Sequence, residues 1–97
     1  MAPRQPRREY QIVISRPATK SLEGMTEDVQ RRIATAIDAF RTDPRPHGCE
    51  KLKGRTDQYR VRVGDYRIIY TIEDRVLTVL VLQIGNRRDV YRKHPKR

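Results

Sequence analysis

Tryptophan is absent from this 97-residue chain, phenylalanine occurs once, and cysteine occurs once, at Cys49. A single thiol closes no internal disulfide and completes no cysteine-based zinc site, so Cys49 reads as a spectator and the fold must stand on burial and backbone hydrogen bonding. No apolar run reaches the roughly 18 residues of a membrane-spanning helix, and neither a signal-peptide core nor a lipidation motif is present. A cytoplasmic protein is the expectation. Also missing are a Gly-rich nucleotide loop, a carboxylate pair for a metal, and a Ser-His-Asp set. Acidic residues are few: 12 Asp and Glu stand against 22 Lys and Arg, for a formal charge of +10 and an isoelectric point near 10.5. That imbalance points to polyanionic partners, with nucleic acid first and an acidic protein segment second.

The chain is long enough for one domain with one modest core. Residues 1–8, MAPRQPRR, hold prolines and arginines but almost no aliphatic bulk, which predicts a disordered basic arm ahead of a single domain over residues 9–97. Tyr10 to Ile14, with its β-branched run, predicts a strand, and Pro17 to Met25 a short helix ending at Gly24. A second helix starts at the N-cap Thr26, carries Glu27 and Asp28 at its positive end, and buries Val29, Ile33, Ala36, Ile37 and Phe40 at helical spacing. That stripe is core. The segment DPRPHG, residues 43–48, stops the helix, and CEKLKGRTD leads through a basic loop into a hairpin. Beyond the hairpin, Glu73-Asp74 predicts a turn, and Arg75 to Ile84 a strand aliphatic enough to be covered on both faces. The order β-α-α-β-β-β predicts an α+β fold, a mostly antiparallel sheet with helices packed on one face.

Within QYRVRVGDYRIIY, residues 58–70, Tyr59, Val61, Val63 and Tyr66, Ile68, Tyr70 alternate with Arg60, Arg62 and Arg67 at the period of a strand. A two-residue turn at Gly64-Asp65 pairs Val63 with Tyr66, Arg62 with Arg67 and Arg60 with Ile69. Two cations then face each other, and unit charges near 4 Å repel by roughly 1 kcal/mol in water and about 4 kcal/mol in a shielded site. Folding gains nothing from this. Either Arg62 and Arg67 splay outward and find acids elsewhere, although the hairpin itself offers only Asp57 and Asp65, or the face is an anion site. Tyr59, Tyr66 and Tyr70 are expected in the core or at its edge. Lys51, Lys53 and Arg55 flank the same edge and could hold a nucleic-acid backbone or form a solvated basic loop.

The run YRVRVGDYRIIY, the aliphatic strand after it and the closing IGNRRDVYR together resemble the RelE/ParE superfamily of toxins, and within it the RelE branch of ribosome-dependent mRNA endonucleases, over residues 9–94. The resemblance implies a small RelE-like α+β domain and a toxin of a type II toxin-antitoxin system that inhibits translation as an mRNA interferase. Cleavage would take place in the A site of the 70S ribosome by 2′-hydroxyl attack, with no metal or cofactor, under the control of a cognate acidic antitoxin. Carried over position by position, it makes Arg60, Arg62, Arg67, Arg87 and Tyr91 the catalytic set; Lys51, Lys53, Arg55 and Arg88 are the basic residues expected to hold RNA beside it. RelE has lysines where Arg60 and Arg62 stand here, and a guanidinium with a pKa above roughly 12 does not exchange protons as a general acid or base. The arginines instead suit the oxyanion-rich transition state, to which their planar forks donate paired hydrogen bonds. Tyr91 is the candidate base, since adjacent cations favour phenolate. His94 is its rival, and His47 has no assigned role. Two other readings stay open: a ParE-like gyrase-poisoning toxin without RNA cleavage, and a basic nucleic-acid-binding module without catalysis.

Overall fold

The computed structural model describes residues 9–54 and 57–86, so the expected basic arm at residues 1–8 lies outside the described residues. Both helices begin where a hydroxyl satisfies orphan backbone donors. Helix α1 (Arg16–Glu23) starts after Ser15, whose Oγ accepts from the Ala18 amide at 3.2 Å, with Pro17 in the first turn where a missing N–H costs nothing. It ends at Gly24 in an ordinary right-handed conformation, φ −84°. Helix α2 (Glu27–Ala39) follows Thr26, which accepts from the Val29 amide at 3.4 Å, and Glu27 and Asp28 meet its positive end.

The strands are β1 (Gln11–Ile14), β2 (Glu50–Lys51), β3 (Gln58–Val63), β4 (Tyr66–Glu73) and β5 (Thr78–Asn86), in the sheet order β1-β5-β4-β3-β2. Strand β1 runs parallel to β5 and the remaining pairs are antiparallel. The α+β class, the mostly antiparallel sheet and the one helical face are as expected; the strand order differs by the insertion of β2. That strand has only two residues, Glu50 opposite Arg60 and Lys51 opposite Tyr59, and it sits in a polar loop with no alternating pattern of its own. Its extended state comes from pairing with β3, a long-range cause that local composition does not carry. The turn at Glu73-Asp74 is also longer than expected, a 3-10 turn over Asp74–Val76 closed by Leu77 at φ 47°, so the last strand starts at Thr78.

The core lies between the helices and one face of the sheet. Ala18 of α1 and Ile33, Ile37 and Phe40 at the inner face of α2 pack with Ile68, Tyr70 and Ile72 of β4 and Val79, Val81 and Ile84 of β5. Phe40 stacks on Tyr70 with ring centroids 4.2 Å apart, and the Tyr70 hydroxyl donates to the Pro44 carbonyl at 2.8 Å. The expectation that the last strand is covered on both faces does not hold: Val79, Val81 and Ile84 are buried, whereas Leu80 and Leu82 are only half-buried. Both helices lie on one side, so among the described residues the second face has no helical layer.

Strand β5 is also out of simple alternation. The β4 register runs from Ile69 opposite Gln83 to Tyr70 opposite Val81, which leaves Leu82 as an extra residue in a bulge. The Leu82 carbonyl accepts from Ser15 Oγ at 2.9 Å, so the cap of α1 is joined to the bulge. Past it, Ile84 faces the core opposite Ile68, and Gly85 comes opposite Arg67.

The β3–β4 turn demands its glycine. Gly64 has φ 62° while Asp65 is not at positive φ, the pattern of a hairpin turn with glycine first, and an added Cβ would come within 3.2 Å of Arg32 Nη1. Gly64→Ala is therefore expected to destabilise the fold by about 1–2 kcal/mol, because an L-residue in this region crowds its own carbonyl. Thermal melting checks this; an unchanged midpoint would mean that the turn relaxes at no cost.

Candidate anion-binding site

The hairpin register is the one the alternation predicts: Val63 opposite Tyr66, Arg62 opposite Arg67, Val61 opposite Ile68 and Arg60 opposite Ile69. Tyr59, Val61, Val63 and Tyr66 pack against the core, as does the fully buried Tyr70. The period of two then sends Arg60, Arg62 and Arg67 to the opposite face. Ile69 shares that face and is only 4% exposed, so the guanidiniums stand beside apolar matter, where charge interactions are stronger than in open water. Gly85, opposite Arg67, has no side chain to crowd it.

Arg60, Arg62 and Arg67 line one cleft of about 200 Å³, together with Gly48, Glu50 and Val61. Among the described residues, Glu50 is the acid that reaches it. Cross-strand pairing places Glu50 opposite Arg60, whose Nε and Nη2 both donate to Glu50 Oε1, at 3.0 and 2.7 Å. Arg62 is exposed and makes no ion pair among the described residues. An acid from outside the hairpin does arrive, and it binds Arg60. Glu50 was missed because its loop carries no strand pattern; its only sequence signal is a lone acid ahead of a basic stretch.

The loop between α2 and β2 is what carries Gly48 and Glu50 to the cleft, and it is anchored at successive residues. Pro44 accepts from buried Tyr70, and Arg45 grips Asp74 through two hydrogen bonds, Nη2 to Oδ2 at 2.9 Å and Nη1 to Oδ1 at 3.3 Å. The Tyr10 hydroxyl donates to the same carboxylate at 2.6 Å, while Arg45 Nε donates to the Tyr59 hydroxyl at 3.3 Å with its guanidinium 5.2 Å from the Tyr59 ring centre. Four segments far apart in sequence meet in this clamp. Burial, with a contribution from Cys49, pushes the Tyr70 phenol far above its ordinary range, so it stays a neutral donor to Pro44.

Lys51 and Lys53 are exposed at the β2 edge, outside the cleft lining. Arg55, Arg87, Arg88, Tyr91 and His94 lie outside the described residues. Strand β5 does lead towards the cleft, since Arg67 pairs with Gly85 and the next pair is Tyr66 with Asn86.

Comparison with known proteins bears on this arrangement. Residues 12–91 match a family model described as the ParE toxin of the type II toxin-antitoxin system parDE. Over 89 residues the chain is 25% identical to a toxin candidate named RelE1 from Methanocaldococcus jannaschii, a match that covers 87% of this chain and 97% of that protein. The archaeal RelE-RelB complex of Pyrococcus horikoshii contains a chain similar in structure, with a TM-score of 0.74 and 28% identity over 81% of this chain and 96% of that one. A doubly substituted E. coli toxin RelE in the free state shares the fold, with a TM-score of 0.73 and 22% identity over 88% of this chain and 93% of that one.

The clamp predicts a pH dependence. Hydrogen bonds from Arg45, then from Tyr10, hold the Asp74 carboxyl below its ordinary value of 3.8. A depressed folded-state value adds stability that is present above the unfolded-state value and is lost as pH falls through the folded-state one. Melting temperature should therefore drop as pH falls below about 4. Asp74→Asn should be less stable than wild type at neutral pH and should show a shallower acid-side decline. Parallel melting curves for the two proteins across that range would rule the clamp out as a source of stability.

Proposed function

Because the chain belongs to the ParE toxin family of type II toxin-antitoxin systems, within the RelE/ParE superfamily, we propose that it acts as RelE-like toxins do, as an endoribonuclease that cuts messenger RNA in the ribosomal A site. The observation that carries this reading is the cleft itself: three guanidiniums converge on a space of about 200 Å³, wide enough for a phosphate group. In the proposed reaction the 2′-hydroxyl loses its proton to a base and attacks the adjacent phosphorus. The bond from phosphorus to the 5′-oxygen breaks, and that oxygen takes up a proton, leaving a 2′,3′-cyclic phosphate and a 5′-hydroxyl. Arg62 and Arg67 are assigned to the phosphate oxygens, with Arg60 joining them. A preorganised donor at such a position contributes about 3 kcal/mol or more in the transition state. Arg87 and the base Tyr91 are assigned by the resemblance, with His94 as the rival base, and Lys51, Lys53, Arg55 and Arg88 are assigned to the RNA backbone by their charge.

The partner follows from the same charge. The Pyrococcus horikoshii relative is a RelE-RelB complex, and a cognate antitoxin with an acidic, amphipathic segment is the complement of the Arg60, Arg62 and Arg67 face. The match to a ParE model keeps a second reading in play, a toxin that poisons DNA gyrase without cutting RNA. Mapping RNA ends after brief induction separates them: cuts positioned by codon support the ribonuclease, and DNA damage without such cuts supports the ParE-like toxin.

Three outcomes are expected. Arg67→Ala should lower cleavage about a hundredfold or more with little change in melting temperature, since the substitution also relieves the repulsion from Arg62. A large fall in melting temperature would make Arg67 a structural residue instead. Tyr91→Phe, which deletes only a hydroxyl, should slow cleavage by roughly a hundredfold while ribosome binding is kept; a larger loss in His94→Ala would move the base to His94. Antitoxin association should slow steeply with added salt while dissociation changes little. A salt-independent association rate would remove the arginine face as the landing site.

A further inference from the structure

Glu50 has no part in the reaction as proposed, yet its carboxylate stands at the mouth of the arginine cleft and holds the donor edge of Arg60 through one oxygen. The backbone of Glu50 is kept in place by pairing with β3, whatever its side chain does. The ion pair itself is open to solvent, with side-chain exposure of 29% for Arg60 and 62% for Glu50. An exposed pair of this kind is weak and exchangeable. Its carboxylate and an incoming phosphate are anions competing for the same guanidinium fork.

We propose that Glu50 is a resident counter-ion of the cleft, which an RNA phosphate must displace from Arg60, and that it thereby selects ligands carrying several phosphates over those carrying one. The inference rests on the cleft being the RNA site. Displacement has a fixed cost, one ion pair plus the repulsion between the freed carboxylate and the phosphate. A ligand with a single phosphate bears all of that cost. An extended strand that also engages Arg62 and Arg67 spreads it over several contacts. Counter-ions report the exchange: when phosphate replaces Glu50 on Arg60, the freed carboxylate takes up a cation, so binding releases about one ion fewer than it would at a cleft without the carboxylate.

The test measures binding, without cleavage, of a uniformly 2′-O-methylated RNA oligonucleotide and of inorganic phosphate across a salt series. The proteins are wild type, Glu50→Gln, Arg62→Ala, Arg60→Ala and the double variant Arg60→Ala with Glu50→Gln. Glutamine keeps the shape and the hydrogen-bond acceptor and removes only the charge. Glu50→Gln should bind the oligonucleotide about two- to fivefold tighter. Its slope of log affinity against log salt should be steeper by about 0.7, the value for one further phosphate contact on a single strand. The proportional gain for inorganic phosphate should be larger, and in the Arg60→Ala background the substitution should give no such gain. If Arg62→Ala weakens RNA binding while Glu50→Gln leaves it unchanged or weaker, the counter-ion role is overturned and the RNA site stands. If Arg62→Ala has no effect, the cleft is not the RNA site, and both readings fall. Tighter binding by Glu50→Gln with no RNA cut by any of the proteins would keep the counter-ion and overturn the nuclease.

Discussion

Arg62 stands opposite Arg67 because, one residue further on, Val63 stands opposite Tyr66. The two faces of a hairpin share one register, and a slip of one residue would turn every side chain over. Full burial of a large aliphatic side chain contributes about 1.5–3 kcal/mol, and Ile68 and Ile72 on the core side of β4 each supply one. Repulsion between two partly solvated guanidiniums is closer to about 1 kcal/mol. Burial on one face therefore outweighs the charge conflict on the other, and the arginines are held together by residues that never touch them. Among the described residues no helix covers the second face, and Arg62 is exposed there.

The loop between α2 and β2 links that hairpin to the rest of the domain. Tyr70 anchors it at Pro44 from inside the core, and Asp74 anchors it at Arg45 from the far end of the sheet. From there it reaches the β3 edge and delivers Glu50, the one carboxylate of the cleft lining among the described residues. Among the described residues, three guanidiniums face one carboxylate, which favours anions, and the carboxylate tempers it. The strength of the site is thus set by two parts of the chain that fold for separate reasons.

Whatever depends on neighbouring residues was legible in the sequence. The Gly64-Asp65 turn and simple alternation specify every pair from Arg60–Ile69 to Val63–Tyr66, and the Thr26 cap and the Ile33, Ile37, Phe40 stripe specify α2 and its buried side. What was not legible depends on residues distant in the chain. Strand β2 is extended because β3 lies beside it, and Glu50 belongs to the cleft for the same reason. The half-buried Leu80 and Leu82 show the converse, since an aliphatic run reports affinity for a core but not how many layers will cover it. The segment beyond Asn86, with Arg87 and Tyr91, is assigned by resemblance alone.

The bulge at Leu82 puts two residues, Leu82 and Gln83, between the core-facing Val81 and Ile84, where simple alternation has one. Point substitutions at Leu82 leave that count intact, so the position should accept many side chains over evolutionary time. Deleting Leu82 would leave Val81, Gln83 and Ile84 in simple alternation with Ile84 still facing the core, and would remove the carbonyl to which Ser15 donates. Lineages of this domain can therefore gain or lose one residue at this point without turning either core-facing stretch over, a tolerance of length that a strand without a bulge lacks.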